Sequence, residues 1–125
     1  MFLPIDPHNG LPIYRQVMDQ VRRMLAAGTL RTGDKIPSVR DLSATLEINP
    51  LTVGKAYGEL EREGVLEMRR GLGMFVAARK EAGQEARREA ARQAAERLAL
   101  EAAQAGLTLE EAKRLLAEGW KDLRR

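Results

Sequence analysis

The 125 residues are 44% hydrophobic, enough for one modest core plus an appendage and too few for a large enzyme fold. Lys and Arg number 21 against 18 Asp and Glu, a net charge of +3 that suits an anionic partner without demanding one. The absence of cysteine excludes disulfides and thiolate metal sites, and no stretch reads as a signal peptide or membrane span, so a soluble cytoplasmic protein without a cofactor is expected.

After an arm rich in Pro and Gly, Pro4 to Pro12, the residues Ile13, Val17, Val21, Met24 and Leu25 recur at helical spacing and predict a first helix ending near Gly28. LRTGDKIP then reads as a turn-rich connection. Ser38 followed by Asp41 has the form of a capping box, so a short helix is expected from Val39 to Leu46, with Val39, Leu42 and Leu46 inward. A turn of about three residues follows. Asn49 is a favoured N-cap, and Pro50 occupies the helical position where a missing N–H costs nothing. The third helix that starts there turns Val53, Ala56, Tyr57 and Leu60 inward, with the Tyr57 hydroxyl expected at the surface, and Gly64 closes it.

Beyond Gly64 the period changes from helical to alternating. Val65, Leu66 and Met68, then Met74, Phe75 and Val76, flank RRGLG and read as a two-stranded hairpin that must pack on the helices to be stable. The expected class is therefore α+β: a winged helix-turn-helix of three helices and a two-stranded wing over residues 1–78.

The stripe of the third helix left outside its core face holds Leu51, Thr52, Gly54, Lys55 and Gly58, mostly small, polar or basic. A B-form major groove, roughly 12 Å wide, admits such a helix. Asn49 and Thr52 suit base edges or phosphates, Lys55 suits phosphate or guanine, and Arg40 offers a planar fork for guanine. Arg69 and Arg70 precede a tip of Gly71, Leu72 and Gly73, where missing Cβ atoms would let backbone enter a minor groove. Structural readings stand beside these: Gly71 and Gly73 suit the positive φ of a tight hairpin, Arg69 and Arg70 suit a protected edge strand, and Ser38 is explained by capping. His8, the single histidine, has no neighbouring ligand for a metal. No catalytic constellation is readable, so an enzyme is not expected.

From Arg79 the composition shifts to Ala, Glu and Arg. Ala82, Ala86, Ala90, Ala94, Leu98 and Ala102 form a narrow helical stripe, and the pairs Arg92/Glu96 and Arg97/Glu101 support a long helix to about Ala105 that Gly106 ends. Thr108 with Glu111 is a second capping box, opening a last helix with Leu109, Ala112, Leu115, Leu116 and Trp120 on its apolar side. This pair of helices, residues 79–125, has too little apolar mass to fold alone. It either packs with the pair of a second chain, the favoured expectation, or docks back on its own winged domain. No constellation that would form an effector pocket is visible.

GDKIPSVRDLSATLEINPLTVGKAYGELEREGVLEMRRGLGMFV, Gly33 to Val76, resembles the GntR family of bacterial transcription regulators, with its LPSxRxLA-like start, its T-V-x-x-A helix, EG, and G-x-G-x-FV wing. PIYRQVMDQVRRMLAAGTL and NPLTVGKAYGELEREGV look most like its YtrA subgroup, and the likeness covers about residues 11 to 78. The resemblance implies a homodimeric repressor on an inverted-repeat operator of double-stranded DNA, in this subgroup often of a transporter operon. It assigns DNA contact to Arg40, Asn49, Thr52, Lys55, Arg70, Gly71 and Gly73. Many family members have arginine where this chain has Pro50, and a basic or polar side chain is common in place of Gly54. The alternatives are a non-specific or architectural DNA binder and a protein-interaction adaptor.

Overall fold

The computed structural model describes residues 2–78 and 83–123, in which α1 (Ile13–Ala27), α2 (Val39–Leu46) and α3 (Pro50–Arg62) precede an antiparallel hairpin of β1 (Leu66–Arg69) and β2 (Gly73–Val76). Two further helices follow, α4 (Gln84–Gln104) and α5 (Leu109–Asp122). This is a winged helix-turn-helix with a helical C-terminal segment.

The helix ends follow local backbone chemistry. Ser38 Oγ accepts from the Asp41 N–H at 3.0 Å, but the Asp41 carboxylate makes no reciprocal bond, so only half of the expected box forms. Thr108 and Glu111 form both halves, because glutamate has the extra methylene that the return bond needs. Asn49 Oδ1 accepts from the Leu51 N–H at 2.8 Å. At the other end of α3, Glu63 is the cap residue and Gly64, at φ +73°, turns the chain away. The Gly64 and Val65 N–H groups then bond back to Glu61 and Leu60. Between α2 and α3 the left-handed position falls to Glu47 at φ 56°, a cost other residues avoid less easily than glycine.

One core gathers these elements. Val17, Met18, Val21 and Met24 of α1, Leu42 of α2, Val53, Ala56, Tyr57 and Leu60 of α3, and Leu66, Met74 and Val76 of the hairpin are buried together with Leu30 and Ile36. Val39, Leu46 and Leu25 pack at its margin, as their spacing predicts. The connection read as turns does more than turn: Lys35 bridges Phe75, the Ile36 N–H bonds to the Met74 carbonyl, and the Val76 N–H bonds to Asp34. It thus covers the free edge of β2, which a two-stranded hairpin leaves open.

Two features depart from the periodic reading. Gln16 lies among the buried residues of α1, where its side-chain amide bonds to Asp6, Asn9 and Leu11 and holds the N-terminal arm down. Gln20 clasps Leu3 through both its N–H and its carbonyl. Tyr57 does not bring its hydroxyl to the surface. The side chain is 1% exposed and the hydroxyl donates to the Pro37 carbonyl at 2.8 Å, tying α3 to the segment before α2.

The C-terminal helices form a hairpin held by a thin interior: Ala102 is buried, and Leu98, Leu107, Ala112 and Leu123 are half-buried. Ala82, expected at the head of the alanine stripe, lies outside the described residues. Arg92 pairs with Glu96 and also with Glu89, whereas Arg97 and Glu101 make no such pair among the described residues. The hairpin touches the winged domain at its start. Gly83, at φ +96°, passes so close to α3 that a Cβ there would lie 2.6 Å from the Glu63 carbonyl oxygen, and Arg87 donates to that oxygen at 2.7 Å. Beyond this anchor a cleft of about 320 Å³ opens between α4 and the residues of α1 and α3.

Burial pushes the Tyr57 phenol above its ordinary range. Replacing Tyr57 with Phe should strand the Pro37 carbonyl and lower stability at pH 7 by about 1–3 kcal/mol. As pH rises above about 10 the unfolded wild-type phenol ionises while the folded one stays protonated, so the wild type loses stability and its margin over the variant narrows. Urea melts of both proteins at pH 7 and pH 10.5 measure this, and an unchanged margin would contradict it.

Candidate nucleic-acid interface

α3 presents two unlike sides. Val53, Ala56, Tyr57 and Leu60 are at 0–1% exposure and face the core. At the complementary spacing i, i+3, i+4, i+7 stand Leu51, Gly54, Lys55 and Gly58, with Thr52 beside them. Leu51, Lys55 and Gly58 are exposed, and Thr52 and Gly54 are half-buried. A Cβ built on Gly54 or Gly58 would meet nothing within 4 Å. Nothing among the described residues therefore requires glycine at either place, although each costs about 1 kcal/mol of helix stability relative to alanine.

The expected contact residues have distinct surroundings. Asn49 is exposed, but its side-chain oxygen is committed to the α3 cap, which leaves only its amide NH₂ to donate outward. Lys55 directs its ammonium over the Tyr14 ring, 4.1 Å from the centroid. Such a contact is worth about 0.5–1 kcal/mol at an exposed site and gives the flexible lysine a preferred direction. Arg40, at the second position of α2, is exposed; its backbone carbonyl accepts from the Ser43 hydroxyl, but its guanidinium has no hydrogen bond or ion pair among the described residues. A guanidinium in that condition keeps its full set of donors available.

At the wing, β1 and β2 pair Leu66 with Val76, Glu67 with Phe75, Met68 with Met74 and Arg69 with Gly73. Gly71 at φ +76° and Gly73 at φ +115° are in conformations that a side chain would strain, so the hairpin by itself accounts for both. The two arginines differ. Arg69 lies over the Phe75 ring at 4.2 Å and bonds to Glu67 at 3.1 Å, whereas Arg70, next to it, has no such partner among the described residues. Lys35 was missed by the sequence reading. Its bridge to Phe75 brings it beside the wing, where its Cε would sit 3.1 Å from a Cβ on Gly73. Only the pairing of residues 34–36 with β2 reveals this, and no local pattern announces it. Tyr14 was missed for the same reason: its meeting with Lys55 spans two helices.

Among the described residues no group of His, Asp and Glu is placed to hold a metal ion, and no helix is long and apolar enough to cross a membrane.

The sequence model described as bacterial regulatory proteins, gntR family, matches residues 13–76. The HTH-type transcriptional repressor YtrA of Bacillus subtilis (strain 168) is 37% identical over 117 residues, spanning 93% of this chain and 90% of the repressor. A crystal structure described as a transcriptional antiterminator from Listeria monocytogenes EGD-e superposes with a TM-score of 0.87 at 29% identity, covering 100% of this chain and 94% of that one. The AraR DNA-binding domain in complex with operator ORX1 superposes with a TM-score of 0.52 at 30% identity, covering 62% of this chain and 93% of that domain.

The open space around Gly54 yields a direct expectation. Gly54→Ala should raise the stability of the free protein by about 1 kcal/mol, seen as a higher Tm. A lower Tm would show that some contact does require glycine there.

Proposed function

The chain belongs to the gntR family of bacterial regulatory proteins as a YtrA-like, DNA-binding transcription regulator, and from that premise we propose that it is a dimeric repressor reading an inverted-repeat operator with one α3 per half-site. The observation that carries this reading is the outer row of α3: an outward helix face with cations beside it and glycines that the described fold does not explain. In this reading the N-terminal half of α3 enters the major groove. The Asn49 amide and Thr52 hydroxyl meet base edges or phosphates, Lys55 takes a phosphate, and the Arg40 fork recognises guanine O6 and N7. Arg70, with the backbone at Gly71 and Gly73, follows the adjacent minor groove. Residues 1–78 act as the DNA-binding domain and residues 79–125 as the dimerisation segment.

The uncovered apolar side of the C-terminal hairpin supports the dimer. Leu109, Leu115, Leu116 and Trp120 are 47–70% exposed in the single chain. Leaving so much apolar surface in water is unfavourable by about 25 cal/mol per Å², and a symmetric partner presenting the same helices would cover it. Two half-sites also raise a small module to the affinities typical of operators. The assignment of the target to a transporter operon rests on the YtrA likeness alone.

Selection of bound sequences from a random duplex pool at physiological salt should recover an inverted repeat. Affinity blind to sequence and steeply dependent on salt would instead mark an architectural binder. Arg40→Ala should weaken the selected site by about 1–3 kcal/mol with little change on random DNA, and equal losses on both would refute base readout by Arg40. Leu115→Glu combined with Leu116→Glu, both on an exposed face, should yield a folded monomer in light scattering; a wild-type protein that is already monomeric on its palindrome would remove the dimer.

A further inference from the structure

Leu51 is the second residue of α3 and is 81% exposed, although α3 otherwise separates apolar from polar positions cleanly. Among the described residues Ile13, Tyr14, Thr52 and Lys55 line a shallow recess beside it and none covers it. Its neighbours along the outer row are Gly54, Lys55 and Gly58, two of which have no side chain. Side chains on a helix lean toward the N-terminus, which places Leu51 over the leading end of α3. Helix-turn-helix proteins bring that end of the recognition helix to base edges.

We propose that Leu51 is a specificity-determining residue that packs against the 5-methyl group of a thymine in the major groove. The inference rests on the DNA-binding reading above and adds a base preference to it. Leucine carries no donor or acceptor, so it cannot bind a phosphate or satisfy the polar edge of guanine, cytosine or adenine. Set against such an edge, it would strip water from an amino or carbonyl group and return nothing. Thymine alone offers an apolar group in that groove. The flanking side chains are polar: Asn49 and Thr52 supply hydrogen bonds, and Lys55 is held toward Tyr14. Ile13 and Tyr14 line the same shallow recess, so the apolar spot is small, and a small apolar spot on a face with exposed cations fits a nucleic-acid groove better than the broad apolar contact of a protein interface.

The test uses the full chain and the duplex recovered by selection, with each thymine replaced in turn by uracil, which removes only the methyl group. Binding is followed by fluorescence anisotropy. Wild type should bind roughly fourfold more weakly for each half-site in which one particular thymine is replaced, and roughly fifteenfold more weakly when both are. Leu51→Ala, whose fold is checked by its melting curve, should bind the unmodified duplex with a loss of similar size and be indifferent to that replacement. Wild type indifferent to every uracil overturns the proposal, and so does a Leu51→Ala protein that keeps the full uracil penalty. Failure to select any duplex overturns the DNA-binding reading itself, and it appears before any uracil is introduced, so the two failures are distinguishable.

Discussion

Val53, Ala56, Tyr57 and Leu60 have to leave water together, and because they repeat every three to four residues their burial sets the rotation of α3 about its own axis. Each apolar side chain is worth about 1.5–3 kcal/mol when fully buried. Turning α3 by half a revolution would forfeit most of that and would place Lys55 in the core without a counter-charge. The outward row of Leu51, Gly54, Lys55 and Gly58 is thus a consequence of the inward one. Tyr57 adds a lock to the rotation, since its hydroxyl reaches a single acceptor, the Pro37 carbonyl, which belongs to the chain just ahead of α2.

The far end of α3 is fastened separately. Glu63 is 3% exposed, and its two carboxylate oxygens both accept from the Arg22 guanidinium at 2.8 Å. A buried carboxylate is tolerated only with such a partner; because the Arg22 side chain is 35% exposed, removing it should cost less than the roughly 3–5 kcal/mol typical of a fully buried pair. Its backbone carbonyl accepts from Arg87 of α4. One residue thereby connects α1, α3 and the C-terminal helices, while the beginning of α3, with Asn49, Leu51 and Thr52, stays open. Firm anchoring behind and an uncovered leading end suit a helix whose task is to be inserted into something.

The C-terminal hairpin shows the opposite balance. Its turn and the start of α5 are well capped, with Thr108 and Glu111 satisfying each other and Gly106 turning the chain at φ +79°, yet its only buried residue among those described is Ala102. Good local chemistry with little interior is, in the proposed dimer, that of an element whose apolar side is covered by a partner. The winged domain, complete in its own core, and the hairpin, incomplete in its own, divide recognition from assembly in the reading proposed above.

Much of this was determined by the order of residues alone. Ser38, Asn49 with Pro50, Gly64 and Thr108 with Glu111 mark helix boundaries because capping involves groups within four residues of one another. The period of apolar residues likewise specified which side of each helix turns inward, and the resemblance carried by Gly33 to Val76 pointed to the family. Tertiary structure alone decided what no local pattern encodes. It brought Tyr14 under Lys55, set Lys35 beside Gly73, gave Arg69 partners while leaving Arg70 without one among the described residues, sent the Tyr57 hydroxyl inward, and committed Gln16 and Gln20 to the N-terminal arm. These meetings join residues that are mostly far apart in the chain, and a polar or charged side chain takes whichever partner the packed elements place within reach. Periodicity predicts the face a residue occupies; only the assembled core decides what stands opposite it.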